Sequence, residues 1–508
     1  MVSEDILVLN KSEHGIRMKN NFNTSKLLKR LFKDNWEEPF IFNSINGQIL
    51  TYKDFFNAVL NCKKKLENIG FKKGDIICFF LPNSSDILIL YFAILTMQMV
   101  AVPIDINKGR HEIIDMLSQL NYKGIIYDNI DIKKFDILQK NTNIEVFKHL
   151  IYKKRDANIN ELEIFNSIDY NKLFLITFTS GSTGIPKGVM HSFNNLVLSA
   201  IAFNKRFNFG KKDIFYHNLP MSYMAGILNL FILPFISGGK IVISERFSIS
   251  NILRFWEIPI KYSVNTFWFV PTIISLLIKF DRGNEGIDNV KNQKMIGCVG
   301  TAHLDIQIKK VFEEKYKNIK LFESYGLSET LFVTTNYPEG EKTGSAGKII
   351  EDVKLSILKD GEILIYVPWM FLGYLNSKTN LEQDKFLSGD IGKIDKEGFL
   401  EITGRKKDLI IRGGINISGK RIEDFISNFN IFEECVILGI KDVDLGEKIV
   451  CFFVPNDNFN ENKKKELNKK IIEKLGTHYT IDEFVKMDNI PKNINGKVDK
   501  LKIREVYT

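Results

Sequence analysis

A chain of 508 residues with 44% hydrophobic and 26% charged residues is a folded globular protein too long for one ordinary core, so a large body and at least one smaller unit are expected. Its formal charge of +9 comes from lysines scattered among acidic residues. Short runs such as Lys463–Lys465 read as solvated helix faces, which argues against nucleic acid as a partner.

The N-terminus carries Glu4 and Asp5 where a secretory leader needs a basic region, so export is not expected. Thr51 and Asp54 form a capping box for a helix with apolar positions Phe55, Val59 and Leu66; Gly70 ends it, and Ile76 to Phe80 reads as a buried strand. The uncharged run Ile87 to Ile104 reaches the length of a membrane span. Gln98 and Pro103 interrupt it, and Pro82 to Asp86 is helix-start chemistry, so a buried helix ending near Met97 and a short strand into Asp105 are expected, with no stable membrane insertion. Cys62, Cys78, Cys298, Cys435 and Cys451 are odd in number, unclustered and set in apolar runs. They read as buried thiols of a reducing, cytoplasmic compartment, without zinc spacing or a disulfide framework.

The same rhythm continues with strand Leu173 to Phe178, helix Asn194 to Phe203, strand Ile214 to Leu219, helix Ile227 to Phe235 and strand Lys240 to Ser244. Further units are Val264 to Val270 before a Pro271-opened helix, and Met295 to Val299 before a helix through Tyr316. From about Gly347, short strands Val353 to Leu358, Glu362 to Val367 and Phe399 to Thr403, divided by turn-like segments, predict an antiparallel region. A final unit holds helix Arg421 to Asn428, strands Glu434 to Gly439 and Lys448 to Val454, helix Glu461 to Leu475 and a strand around Glu483 to Met487. The expected class is therefore α/β: a large layered N-terminal body (1–404) with an antiparallel β region, a junction at 405–410 and a small α+β domain (411–508).

One segment carries phosphate chemistry. Thr179, Ser180, Gly181, Ser182, Thr183, Gly184, Ile185, Pro186, Lys187 and Gly188 follow a strand and are expected to precede a helix directly. Glycines turn backbone N–H groups toward an anion, the hydroxyls donate and Lys187 adds a point charge. Lys187 is followed by Gly188, so this is not the P-loop of nucleoside triphosphatases, which ends Gly-Lys-Ser/Thr.

The segment resembles the signature loop of the adenylate-forming superfamily of acyl- and aryl-CoA synthetases, peptide-synthetase adenylation domains and luciferases. Other motifs follow in that family's order over nearly the whole chain. Glu323-Ser324-Tyr325-Gly326-Leu327-Ser328-Glu329 is similar to a motif ending Tyr-Gly-x-Thr-Glu. The resemblance implies nucleotide contacts at Glu323 and Ser324, Tyr325 stacked on adenine, Ser328 near the α-phosphate and Glu329 holding Mg²⁺. Ser388-Gly389-Asp390 resembles Thr-Gly-Asp, whose aspartate accepts the ribose hydroxyls, and Arg405 resembles the arginine that assists there. Lys407 stands at the hinge position, Gly413 and Gly414 in the second half of the hinge motif beside a pantetheine arm, and Lys497 at the C-terminal catalytic lysine.

By that resemblance the substrates are a small-molecule carboxylic acid and ATP with Mg²⁺, joined as acyl-AMP. The acyl group then passes to coenzyme A or to the phosphopantetheine of an acyl carrier protein in trans. Tyr223, Met224, Ala225 and Gly226, with Val270, Gly300 and Thr301, are expected to line the acid pocket, and the bulk and hydroxyl of Thr301 point to a short or partly polar acid. His191 is a candidate gate or helix cap and His217 a strand-end residue near the pocket, with local packing and hydrogen bonding as the other reading of each. Oligomeric state is not legible.

Overall fold

The computed structural model describes residues 22–105, 107–127, 143–146, 157–179, 186–281, 294–377, 385–412, 415–442, 445–492 and 498–507. Two mostly parallel sheets form the large body. One has seven strands, in the order Gly373–Tyr374, Lys187–Ser192, Leu173–Thr179, Val100–Pro103, Ile76–Phe80, Gly124–Tyr127, Asn143–Val146. The other has nine: Lys348–Ile349, Leu331–Thr335, Ile319–Leu327, Met295–Val299, Thr266–Phe269, Ile214–His217, Lys240–Ile243, Pro39–Asn43, Ile49–Thr51.

The helix Ser85–Thr96 is apolar all round and all but Asp86 is buried, which is the signature of a helix enclosed by packed layers. With the strand Val100–Pro103 behind it, it accounts for the uncharged run; among the described residues no helix is long and apolar enough to cross a membrane. The Thr51–Asp54 capping box forms, and Gly70 closes its helix at φ 102°. The antiparallel region is a four-stranded sheet of Lys354–Ile357, Glu362–Tyr366, Lys385–Ile394 and Leu400–Arg405.

Two local readings are corrected. The chain does not run from the phosphate loop straight into a helix: Lys187–Ser192 returns as a strand antiparallel to Leu173–Thr179, with Thr179 opposite Lys187, and only then does Ser192 cap the helix Phe193–Phe207. Gly188 permits this return, because a Cβ there would lie 2.9 Å from that of Leu375. The helix expected over Ile227 to Phe235 is π-helical over Ala225–Ile232 before an α-turn Leu233–Ser237. Gly226 is pressed against Pro220, where a Cβ would meet the carbonyl oxygen at 2.1 Å, and such wide turns recur at functional sites.

The smaller unit is α+β. Its strands Leu409–Arg412, Ile415–Ser418, Phe432–Asp442, Gly446–Pro455 and Glu483–Lys486 make one sheet. Strand alternation sends Ile437, Ile449, Cys451 and Phe453 toward helices Gly419–Ser427 and Glu461–Leu475. Val436, Leu438, Val450 and Phe452 face the other way, packing with Ile490 and with Ile503 of the helix Lys500–Tyr507. Contacts back to the large body include Ser418 Oγ donating to the Thr403 carbonyl, and His303 at 3.7 Å from Asp424.

Candidate functional site

Four neighbouring parallel strands, Ile214–His217, Thr266–Phe269, Met295–Val299 and Ile319–Leu327, end their carboxyl termini along one edge. His217 closes the first of these strands, Val270 and Gly300 with Thr301 follow the next two, and Tyr325 stands two residues past the parallel pairing of the fourth, which ends at Glu323. In open α/β sheets the crevice outside the carboxyl ends is where ligands bind. Pocket and nucleotide residues expected from sequence thus come to one rim although His217 and Tyr325 stand 108 residues apart in the chain.

At one end of the rim the Tyr325 hydroxyl donates to Asp390 Oδ2 at 2.8 Å, and Arg405 Nε lies 2.9 Å from Asp390 Oδ1. Asp390 is 3% exposed, and its backbone N–H is fixed by Ser388 Oγ at 3.0 Å. Burial, then the Asp390 charge, pushes the Tyr325 phenol well above its ordinary range, so it stays protonated and donates. Ser324 shares its hydroxyl with Thr335 Oγ1 at 2.9 Å. Glu323, which the resemblance puts at the nucleotide, is buried, with the Lys309 charge and a Leu304 backbone hydrogen bond favouring its ionised form. Burial raises its pKa to about 7.

A second group stands three and four residues further on. Tyr374 donates to Glu329 Oε1 at 2.7 Å, and Lys187 Nζ lies 5.4 Å from the centre of the Tyr374 ring. The Phe371 N–H bonds the Glu329 carbonyl at 3.0 Å. His191, fully buried, holds the Ser328 carbonyl through Nε2 at 2.6 Å, so that nitrogen carries the proton. The packing and hydrogen-bonding reading of His191 is the one the structure has, since the helix cap is Ser192. Thr179 and Lys187 face each other at the mouth of the hairpin. Ser180, Gly181, Ser182, Thr183 and Gly184 between them lie outside the described residues, as do Gly413, Gly414 and Lys497.

Of the pocket residues, Met224 and Ala225 are buried and Tyr223 and Val270 partly so. The Tyr223 phenol is pushed up by burial and, after it, by the charge of Glu329. Gly226 contributes backbone: its carbonyl accepts from His217 Nε2 at 3.0 Å. Thr301 has φ 73°, the left-handed region that a β-branched residue avoids. Lys407 is exposed in the single turn Lys406–Asp408, with Lys500 bonding Asp408 Oδ2 at 2.7 Å.

Sequence reasoning missed Tyr374, which no motif marked. It also missed Asn83, whose amide bonds the Leu219 carbonyl and the Met221 N–H, and Tyr91, which donates to the Met221 carbonyl at 3.0 Å. Asn83 was visible only as part of a helix-start signal.

Motifs, rim and fold together define an adenylate-forming enzyme. The chain belongs to the AMP-binding enzyme family, whose model matches residues 33–375, and the AMP-binding enzyme C-terminal domain matches 421–497. It is 28% identical over 496 residues to the 2-succinylbenzoate–CoA ligase of Listeria monocytogenes serovar 1/2a, covering 96% of this chain and 100% of that one. Among solved structures, ATP-bound MatB from Rhodopseudomonas palustris superposes with a TM-score of 0.81 at 21% identity, over 95% of this chain and 99% of that one. The o-succinylbenzoate CoA synthetase MenE of Bacillus subtilis, in complex with its acyl-adenylate, gives 0.76 at 23% identity, over 94% and 97%.

Proposed function

We propose that this enzyme uses ATP and Mg²⁺ to convert a small carboxylic acid to its acyl-AMP, releasing pyrophosphate, and then transfers the acyl group to the thiol of coenzyme A. The observation that carries the reading is the shared rim: Tyr325, Asp390 and Arg405 gather acceptor and donor groups suited to a nucleoside, and Lys187, Tyr374 and Glu329 follow at once, the Glu329 charge acting on Tyr223. Relatives named as CoA ligases support coenzyme A as the acceptor.

Attack of a carboxylate on the α-phosphorus brings two anions together, so the residues must supply positive charge and donors. No general base is required, since the acid is already ionised at neutral pH. Lys187 offsets phosphate charge from the hairpin mouth, Ser328 presents a hydroxyl from a backbone that His191 holds, and Asp390 fixes the ribose. Glu329 is a partly exposed carboxylate, and among the described residues no cluster of three His, Cys, Asp or Glu side chains exists. That fits Mg²⁺, which takes one or two carboxylates and draws its other ligands from phosphate and water. When bound, the ion neutralises charge on the phosphate oxygens. Lys497 is assigned to the same phosphorus. A turn of the small domain (411–508) about Lys407 withdraws it and presents Gly413 and Gly414 to the thiol. The free cysteines among the described residues suit a cytoplasmic setting.

Pyrophosphate exchange across an acid panel tests the first step. Lys497→Ala is expected to lower exchange at least about 100-fold while leaving ATP binding measurable; unchanged exchange removes Lys497 from its role. Supplying coenzyme A or a holo-carrier protein tests the second step, and acylation of the carrier alone would replace coenzyme A as the acceptor.

A further inference from the structure

Three large indoles lie inside the body, and two have partners: Trp256 Nε1 donates to Asp281 Oδ2 at 3.1 Å and Trp369 Nε1 to the Thr330 carbonyl at 2.8 Å. Trp268 is 3% exposed, yet its Nε1 is buried without a hydrogen-bond partner among the described residues. Buried indole N–H groups nearly always find an acceptor, because leaving one unmade costs the desolvation of the donor. An orphan at a ligand rim is a vacancy in the chemistry of the site.

The position of this orphan is specific. Trp268 sits near the carboxyl end of its strand, two residues before Val270 and so on the same side by the strand's alternation. Its nitrogen lies 3.2 Å from where Gly300 would carry a Cβ, so it meets that pocket residue on the face that has no side chain. The rest of the ring packs against Phe203 and Phe332, each at 5.5 Å between centroids. The next residue, Thr301, is held at φ 73°, and backbone held in such a region clusters at ligand clamps. The rings packed around this indole are aromatic, and its N–H is an uncharged donor. A carboxylate would be desolvated there against a single uncharged N–H, whereas a neutral oxygen costs far less to bury.

We infer that Trp268 is a specificity-determining residue of the acid pocket, its indole N–H donating to an uncharged oxygen, a ketone or ether, on the part of the acid remote from the reacting carboxylate. The inference rests on the acid-activating reading above. It selects polar-tailed acids over their hydrocarbon isosteres.

The test uses matched acids: 4-oxopentanoate against pentanoate, and 4-methoxybenzoate against 4-ethylbenzoate. In pyrophosphate exchange the full chain is expected to favour the oxygen-bearing member of a pair about 10-fold in kcat/KM. Trp268→Phe keeps the aromatic plane and removes the donor. It should erase that preference by lowering only the oxygen-bearing acid, with the hydrocarbon acid within about 2-fold. Equal loss for both members, or a parent preference for the hydrocarbon, overturns the assignment. Indole N–H resonances of the chain's four tryptophans give a readout free of turnover, the Trp268 signal being the one missing from Trp268→Phe. It should move downfield with the oxygen-bearing acid and stay with its isostere. Absence of exchange with every acid would remove the acid-activating reading, while the indole signal would still decide the subsite: an oxygen-dependent shift upholds it, and a signal unmoved by all four acids removes it.

Discussion

Asp390 illustrates how one carboxylate organises a site. Both oxygens are engaged, by Tyr325 and by Arg405, in a position almost sealed from water. Asp390→Asn would set an amide against the Arg405 guanidinium and leave a cation without its counter-charge. Pyrophosphate exchange is expected to fall about 100-fold, the usual scale for breaking a hydrogen-bonded charge pair at low exposure; a loss under 3-fold would remove Asp390 from the nucleotide site. His191 offers a pH test. Burial holds its pKa down to about 4 from an ordinary 6.5, the Ser328 hydrogen bond opposing only in part. The unfolded chain therefore takes up this proton first. The neutral imidazole's contribution to stability is complete above pH 6.5 and is lost as pH falls toward 4. His191→Gln keeps a donor near the Nε2 position and does not titrate. Its denaturation free energy should lose on the order of 3 kcal/mol less than the parent's over that range, and identical slopes would exclude the mechanism.

At the level of elements, the π-helical turn Ala225–Ile232 is where backbone geometry and pocket meet. Gly226 stands under the Pro220 carbonyl, and its own carbonyl is taken by His217, so the segment is pinned from both sides. Gly226→Ala forces a Cβ to within 2.1 Å of that oxygen. Relaxation must move either the Pro220 segment, which Asn83 and Tyr91 also hold, or the helix itself. A loss of about 3 kcal/mol in chemical denaturation is expected, with a raised KM for the acid and little change for ATP. Equal effects on both substrates would mean that the turn supports the whole site and not the acid pocket. The Lys187–Ser192 return strand belongs to the same level. A helix was expected directly after the loop, while in the structure Gly188 gives room for Leu375 and the strand pairs on both sides.

On the scale of the molecule, two units meet at the turn Lys406–Asp408, braced by Lys406 to Asp360 and Glu362 and by Lys500 to Asp408. If the half-reactions need different arrangements of the units, stiffening this turn separates them. Lys407→Pro adopts the φ of a helical turn without strain and restricts the residue before it. The ratio of thioester formation to pyrophosphate exchange should then change at least about 10-fold; equal loss in both assays would argue against rotation at this point.

The sequence by itself determined the class of fold, most strand and helix positions, and the types of group that a nucleotide and an acid require. It could do so because caps, breakers and periodicity act within a few residues: Thr51 with Asp54, the helix ending at Thr96, and the hydroxyl-rich segment before Lys187 are all legible locally. Only the tertiary structure decided what each group touches. It joined Tyr325 to Asp390 across 65 residues and His191 to Ser328 across 137, buried Glu323, put Thr301 in a left-handed conformation and left the Trp268 donor without an acceptor among the described residues. Those outcomes depend on parallel strands distant in the chain ending along one edge, and no local periodicity encodes which side chains meet there.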